Sequence, residues 1–171
     1  AERELVAICR DETIASLLSF RTLEELFRTY TGGREKLCGL LIGTAADLYI
    51  RRTCIKAIGE YEYVGLAGAV LPYLNDNQLN ARIDAVRTLG QLKYEPALER
   101  VRAFAKDERW EARVVSATAL GNYGAERNLD ILLALLCDRE WWVRYRAAEA
   151  LVKYPDHTEL IGAGASSMSP A

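Results

Sequence analysis

Between Asp107 and Tyr154 one stretch is written twice: Asp107 to Tyr123 is followed in register by Asp138 to Tyr154. Aspartate (Asp107, Asp138), tryptophan (Trp110, Trp141), arginine (Arg113, Arg144), leucine (Leu120, Leu151) and tyrosine (Tyr123, Tyr154) all recur. A period as short as the step from Asp107 to Asp138 describes units too small to bury their own apolar faces, so the constraint is strong: such units must stack on one another. A step back of the same length finds Asp76, Leu79, Arg82, Ala85, Leu89 and Gly90, and another finds Leu48, Arg51, Cys54, Ile58 and Gly59.

Within a copy, Ala112, Val115, Ser116, Ala119 and Leu120 follow the spacing of an amphipathic helix. Asp107 and Asp138 are placed to cap these helices, and Glu108 and Glu140 suit the positive end of the helix dipole. Gly59, Gly90 and Gly121 fall near the far ends, where a left-handed residue is expected. A second, shorter helix follows in each copy, with Leu66, Val70, Tyr73 and Leu74, then Ala97, Leu98, Val101, Phe104 and Ala105, then Leu129, Leu132, Leu135 and Leu136 pointing inward. Each unit is therefore a helical hairpin. No useful alternating run occurs, so the expected class is all-α with no β-sheet.

Residues 44–160 divide into four units, about 45–75, 76–106, 107–137 and 138–160. Residues 1–43 carry a blurred frame and are expected to be atypical N-terminal helices, a degenerate first repeat or cap, because a terminal unit meets solvent on one face. The capping box from Thr22 to Glu25 and the Gly32-Gly33 break mark helix limits there, ahead of a helix from Arg34 to Ile42 and a further helix start at Thr44 to Asp47. Residues 161–171 have the composition of a flexible tail.

Composition excludes several classes. With 22 basic and 24 acidic side chains there is no global positive field, which argues against nonspecific nucleic-acid binding. The longest apolar runs fall far short of the roughly 20 residues of a membrane span. A cytoplasmic setting is expected, since the start Glu2-Arg-Glu4 does not read as a signal peptide. Cys9, Cys38, Cys54 and Cys137 form no C-x-x-C pair and sit in apolar helical patterns as small hydrophobes. The single histidine, His157, lies beside a Pro-Asp turn and does not assemble a metal or hydrolytic set. No carboxylate pair or phosphate loop stands out, and no catalytic residue, cofactor site or metal site is assigned.

The frame Asp-x-x-Trp/Leu-x-Ala/Val/Ile-Arg, seen from Asp76, Asp107 and Asp138, resembles HEAT repeats, specifically the short type found in phycobilisome lyase subunits. That resemblance covers roughly residues 45–160 and implies a right-handed α-solenoid whose second helices line a concave face. It implies no activity, because this fold hosts unrelated functions.

Three constellations remain. Arg51, Arg82, Arg113 and Arg144 recur once per unit and form either an anion-binding ladder or structural bridges to loop acids such as Asp76, Asp107 and Asp138, the latter being the favoured reading. Trp110 and Trp141 replace leucines of the frame and read as packing wedges, whereas Trp142 occupies a polar slot and is a binding candidate. On the second helices, Gly68, Glu99 and Asp130, then Pro72, Ala103 and Ala134, then Leu71, Arg102 and Leu133 leave a groove of small residues with leucine and charge at its border. The expectation is a non-catalytic scaffold that takes a protein or peptide partner on this surface, as an adaptor or as a module of a larger protein. An enzyme or enzyme subunit on the same fold, base-excision-like or bilin-lyase-like, and a purely architectural spacer are the alternatives.

Overall fold

The computed structural model describes Ala7 and residues 33–45 and 47–152. The expected helices before residue 33, the capping box at Thr22, Cys9, Tyr154, His157 and the tail at 161–171 lie outside the described residues. Among the described residues every regular element is helical. They are α1 (Arg34–Thr44), α2 (Leu48–Glu60), α3 (Ala67–Val70), α4 (Leu79–Gln91), α5 (Leu98–Phe104), α6 (Trp110–Tyr123), α7 (Leu129–Leu136) and α8 (Trp141–Val152). Short 3-10 turns at Val64–Leu66, Leu71–Asn75, Glu95–Ala97 and Glu126–Asn128 flank the second helices. The fold is all-α, built from helical hairpins on the α-solenoid plan.

The first helices α2, α4, α6 and α8 begin at Leu48, Leu79, Trp110 and Trp141, each one full period after the last. Positions the periodicity marked are buried, among them Ile50, Cys54 and Ile58 in α2, Ala81, Ala85 and Leu89 in α4, and Ala112, Ala119 and Leu120 in α6. The second helices bury Val70 and Leu74, Ala97 and Val101, and Leu132 and Leu135. Leu66, Tyr73, Phe104, Leu129 and Leu136 are only half-buried. In the first of these segments the α-helix shrinks to four residues between two 3-10 turns, with Pro72 in the second turn, where its missing N–H costs no hydrogen bond.

The chain divides into two compact units, Ala1–Arg100 and Val101–Ala171. In the first, α1 packs on α2 and α2 on α4, with α3 and its following 3-10 turn against α4. The Tyr73 hydroxyl donates to the Ile42 carbonyl near the end of α1, and Thr88 of α4 donates to the Ile55 carbonyl of α2 at 2.8 Å. In the second unit α6 packs along α8, and α7 lies against both. Ser116 of α6, fully buried, donates to the Val101 carbonyl at 2.7 Å. Thr88 and Ser116 are thus closed by neighbouring carbonyls within their units, while the apolar flank of one first helix is covered by the next.

Two expected roles differ in the structure. Gly59, Gly90 and Gly121 are inside their helices and have ordinary helical backbone. The left-handed position lies three residues further on, at Glu62 (φ 54°), Lys93 (φ 49°) and Gly124 (φ 118°). After Gly59 the chain closes a Schellman turn, Tyr63 N–H to Ile58 carbonyl at 3.0 Å and Glu62 N–H to Gly59 carbonyl at 3.3 Å, and Tyr94 and Lys93 repeat it. The glycines serve close approach instead: a β-carbon on Gly121 would meet the Ala150 Cβ at 2.6 Å, and one on Gly59 would meet the Thr88 Oγ1 at 3.0 Å.

The aspartates also sit earlier than a cap. Asp76, Asp107 and Asp138 each accept from the N–H two residues on, at 2.8, 2.8 and 2.9 Å, and the helix starts one residue after that. They form Asx turns that aim the chain into the helix. Asp47, by contrast, is an N-cap, accepting from Tyr49 and Ile50 at 2.6 and 3.2 Å, and Thr44, expected to open this helix, instead ends α1.

Candidate functional site

The arginine ladder is built at the turn before each first helix. Arg82 donates through Nη1 to the carbonyls of Asp76 and Asn77 at 2.9 and 3.3 Å, Arg113 to those of Asp107 and Glu108 at 2.9 and 3.0 Å, and Arg144 to those of Asp138 and Arg139 at 2.8 and 3.0 Å. Each guanidinium therefore pins the loop that leads into its own helix. Arg113 does more: its Nε and Nη2 grip both carboxylate oxygens of Asp138 at 2.7 and 2.9 Å. The two side chains are 8% and 11% exposed, and that fork-to-fork geometry is the strong form of an ion pair. The hydrogen bond from Arg113 holds the Asp138 carboxyl below the ordinary carboxylate range, and the same bond raises the Arg113 guanidinium. Arg51 keeps a buried Nε with no hydrogen-bond partner. Arg113 joins consecutive hairpins through Asp138.

The second-helix positions are displayed as follows. In the first unit Gly68 and Glu99 are exposed and Leu71 is half-buried. In the second, Ala103 of α5 and Asp130 and Ala134 of α7 are exposed, and Leu133 is half-buried. Arg102 is committed to the next hairpin: its Nε donates to Asn128 Oδ1 and its Nη2 to the Arg127 carbonyl, both at 2.8 Å. Asn128, 2% exposed, in turn donates to the carbonyls of Leu120 and Gly124 at 3.2 and 2.8 Å. Arg102 and Asn128 lock α5 to the turn before α7, so the surface open to a partner here is carried by small and acidic side chains.

The tryptophans are not where wedges would be. Trp141 is 53% exposed and Trp142 52%, in edge contact with ring centroids 4.6 Å apart. Trp141 also stacks on Tyr145 at 5.2 Å. Trp110 is 38% exposed. Trp142 thus belongs to an aromatic cluster on the first helix α8, a different element from the second helices that carry the small-residue groove. The cluster was legible in part, since Trp142 and Tyr145 replace Tyr49 and Arg52, Asn80 and Ile83, and Glu111 and Val114 in the frame.

Asp84, missed in the sequence, is 2% exposed on α4 and bonded to Arg52 Nε at 2.7 Å and Arg87 Nη1 at 3.2 Å, with Lys56 at 3.9 Å. Its signal was an aspartate where the next copy has Val115. Cys38 and Cys54 are buried, whereas Cys137, expected among the apolar positions, is exposed at the end of α7. Among the described residues no group of His, Cys, Asp and Glu could hold a metal ion, and no helix is long and apolar enough to cross a membrane.

A family model described as HEAT repeats matches residues 99–161. No curated protein matches the sequence. The match begins inside α5 and runs across α6, α7 and α8, the stretch that holds the Arg113–Asp138 bridge and the Gly121–Ala150 contact. The sequence of residues 99–161 is thus similar to HEAT repeats, a fold commonly used as a scaffold for protein interaction.

Proposed function

We propose that this chain is a non-catalytic helical-repeat scaffold that takes a protein or peptide partner on its second helices, as an adaptor or as a module of a larger protein. The observation that carries the reading is the pair Ala103 and Ala134, exposed at the same position of consecutive second helices, with acidic Asp130 and half-buried Leu133 beside Ala134. A merely solvated helix face gains from long charged side chains; small ones leave room for another backbone to come close. Gly68 and Leu71 offer the same chemistry in the first unit. A cytoplasmic setting fits the free thiols of Cys38 and Cys137. The short period, with its recurring Asp and Arg, supports kinship with the phycobilisome-lyase type of HEAT repeat.

The test is a pull-down with the immobilised chain from extract of its source cells, identification of the captured protein, and rebinding of that protein in purified form. The double substitution Ala103→Arg and Ala134→Arg should abolish rebinding while helical circular dichroism and melting stay unchanged. Undiminished rebinding would move the site off the second helices, and turnover of a substrate by the purified chain would overturn the non-catalytic reading.

A further inference from the structure

Asp84 is the hub of a charged cluster that the repeat does not require. In the frame, Thr53, Asp84, Val115 and Arg146 share one position, Arg52, Ile83, Val114 and Tyr145 a second, and Lys56, Arg87, Thr118 and Glu149 a third. An acid of one first helix facing two bases of the preceding one therefore belongs to α2 and α4. The helices α6 and α8 pack along each other with Val114, Thr118 and Arg146 in the corresponding places. Stacking accounts for the frame and leaves a buried carboxylate between α2 and α4 unexplained, since such a group adds little net stability once its desolvation is counted.

The balance of charge is uneven. Arg52 Nε at 2.7 Å and Lys56 Nζ at 3.9 Å meet at Oδ2 of Asp84, and Arg87 Nη1 takes Oδ1 at 3.2 Å. Among the described residues Asp84 is the one acidic partner of all three, so three cations face one carboxylate with a surplus of two positive charges. Their donors are not spent either. Arg52 hydrogen-bonds through Nε and Arg87 through Nη1, and the Lys56 ammonium stands beyond hydrogen-bond reach. The side chains of Lys56 and Arg87 are each 51% exposed and that of Arg52 is 26% exposed, so the remaining N–H groups are open to water. Like charges gathered around one carboxylate repel, and an anion that bridges them relieves the repulsion.

The kind of anion follows from the count. A phosphomonoester carries about two negative charges at neutral pH and three strong acceptor oxygens, which matches both the surplus charge and the number of cations. The planar fork of arginine suits phosphate oxygens in pairs, and lysine meets them as a point charge. We propose that Arg52, Lys56 and Arg87, gathered by Asp84, form a binding site for a phosphomonoester dianion. This site is on first helices and is independent of the second-helix surface described above.

The test follows the Nε–Hε resonances of the nitrogen-15-labelled full chain. Three probes are titrated at pH 7 and constant ionic strength: a capped Gly-phosphoserine-Gly tripeptide, its serine counterpart and inorganic phosphate. The expected result is a saturable shift of the Arg52 and Arg87 signals by the phosphotripeptide, about ten-fold or more tighter than any shift at the exposed Arg100 and Arg139. Lys56→Gln and Arg87→Gln should each weaken the Arg52 response about ten-fold while melting as the parent does, because both positions are exposed. Tighter binding of the phosphotripeptide than of inorganic phosphate assigns the site to a phosphorylated partner, and equal or weaker binding to a free phosphate. A shift at Arg52 that does not saturate, that equals those at Arg100 and Arg139, or that the serine tripeptide reproduces overturns the proposal. Binding undiminished in both Lys56→Gln and Arg87→Gln overturns it as well.

Discussion

Gly121 of α6 lies so close to Ala150 of α8 that a β-carbon on the glycine would stand 2.6 Å from the alanine Cβ and 3.1 Å from its Cα. Glycine inside a helix normally weakens it by about 1 kcal/mol relative to alanine. Here the sign reverses, since the two helices cannot keep their spacing around a second methyl group. Gly121→Ala should destabilise the protein by about 1–2 kcal/mol in urea unfolding, the overpacking loss exceeding the helix gain. Gly59→Ala should lose less, because the nearest atom to its new methyl is the mobile end of Gln91 at 2.4 Å, with Thr88 Cα at 3.3 Å. Adding Ala150→Gly to Gly121→Ala should show a favourable coupling of about 1 kcal/mol.

The Arg113–Asp138 bridge predicts a defined acid limb. Asp138→Asn keeps the oxygen that accepts from the Glu140 N–H but removes the charge, so it should cost about 3 kcal/mol at neutral pH by leaving the guanidinium, 8% exposed, without a counter-ion. Because Arg113 holds the native carboxyl below its unfolded value of about 3.9, the stabilisation is fully present above that value. It is lost as pH falls through the lower native value. The stability difference between parent and Asp138→Asn, followed by urea melts from pH 7 down to about pH 2, should therefore shrink only in the acid range.

Asn128 reads both neighbours by the direction of its amide. Its Nδ2 donates to two carbonyls while its Oδ1 accepts from Arg102. Asn128→Asp is isosteric and sets a charge beside Arg102, yet it turns an acceptor toward the carbonyls of Leu120 and Gly124. Loss of the two donors in a site only 2% exposed should dominate, with destabilisation of about 2 kcal/mol or more in chemical denaturation. A stabilised variant would show that the Arg102 attraction wins.

Tyr73 closes the first unit by donating its hydroxyl to the Ile42 carbonyl. Burial pushes its phenol above the ordinary value, so the neutral form is the one the fold favours. The contribution is fully present below about pH 10 and is lost as pH rises through the higher native value. Tyr73→Phe should lose about 1 kcal/mol at neutral pH and should remove this part of the alkaline decline in melting temperature.

Much of the architecture was legible because the period is written in the chain. A frame that returns from Asp76 to Asp107 to Asp138, with apolar residues at helical spacing in between, leaves a hairpin as the unit and stacking as its only way to bury Ile50, Ala85 or Leu120. The equal spacing of the first helices, from the one at Leu48 to the one at Trp141, follows from it. That a repeated arginine and a repeated aspartate can meet between units was also within reach, as Arg113 and Asp138 do.

What the tertiary structure alone decided is the work done by each recurring residue. A glycine near a helix end reads equally well as a left-handed stop or as a gap for a neighbour, and only the approach of Ala150 separates the two for Gly121. Asp107 reads as a cap until the helix is seen to begin three residues later, at Trp110. Trp141 reads as a wedge until its exposure is known. Periodicity records which residues face the same way; it carries no distance between one helix and the next. Burial, close contact and ion pairing are properties of that distance, so they emerge only when the hairpins are packed together.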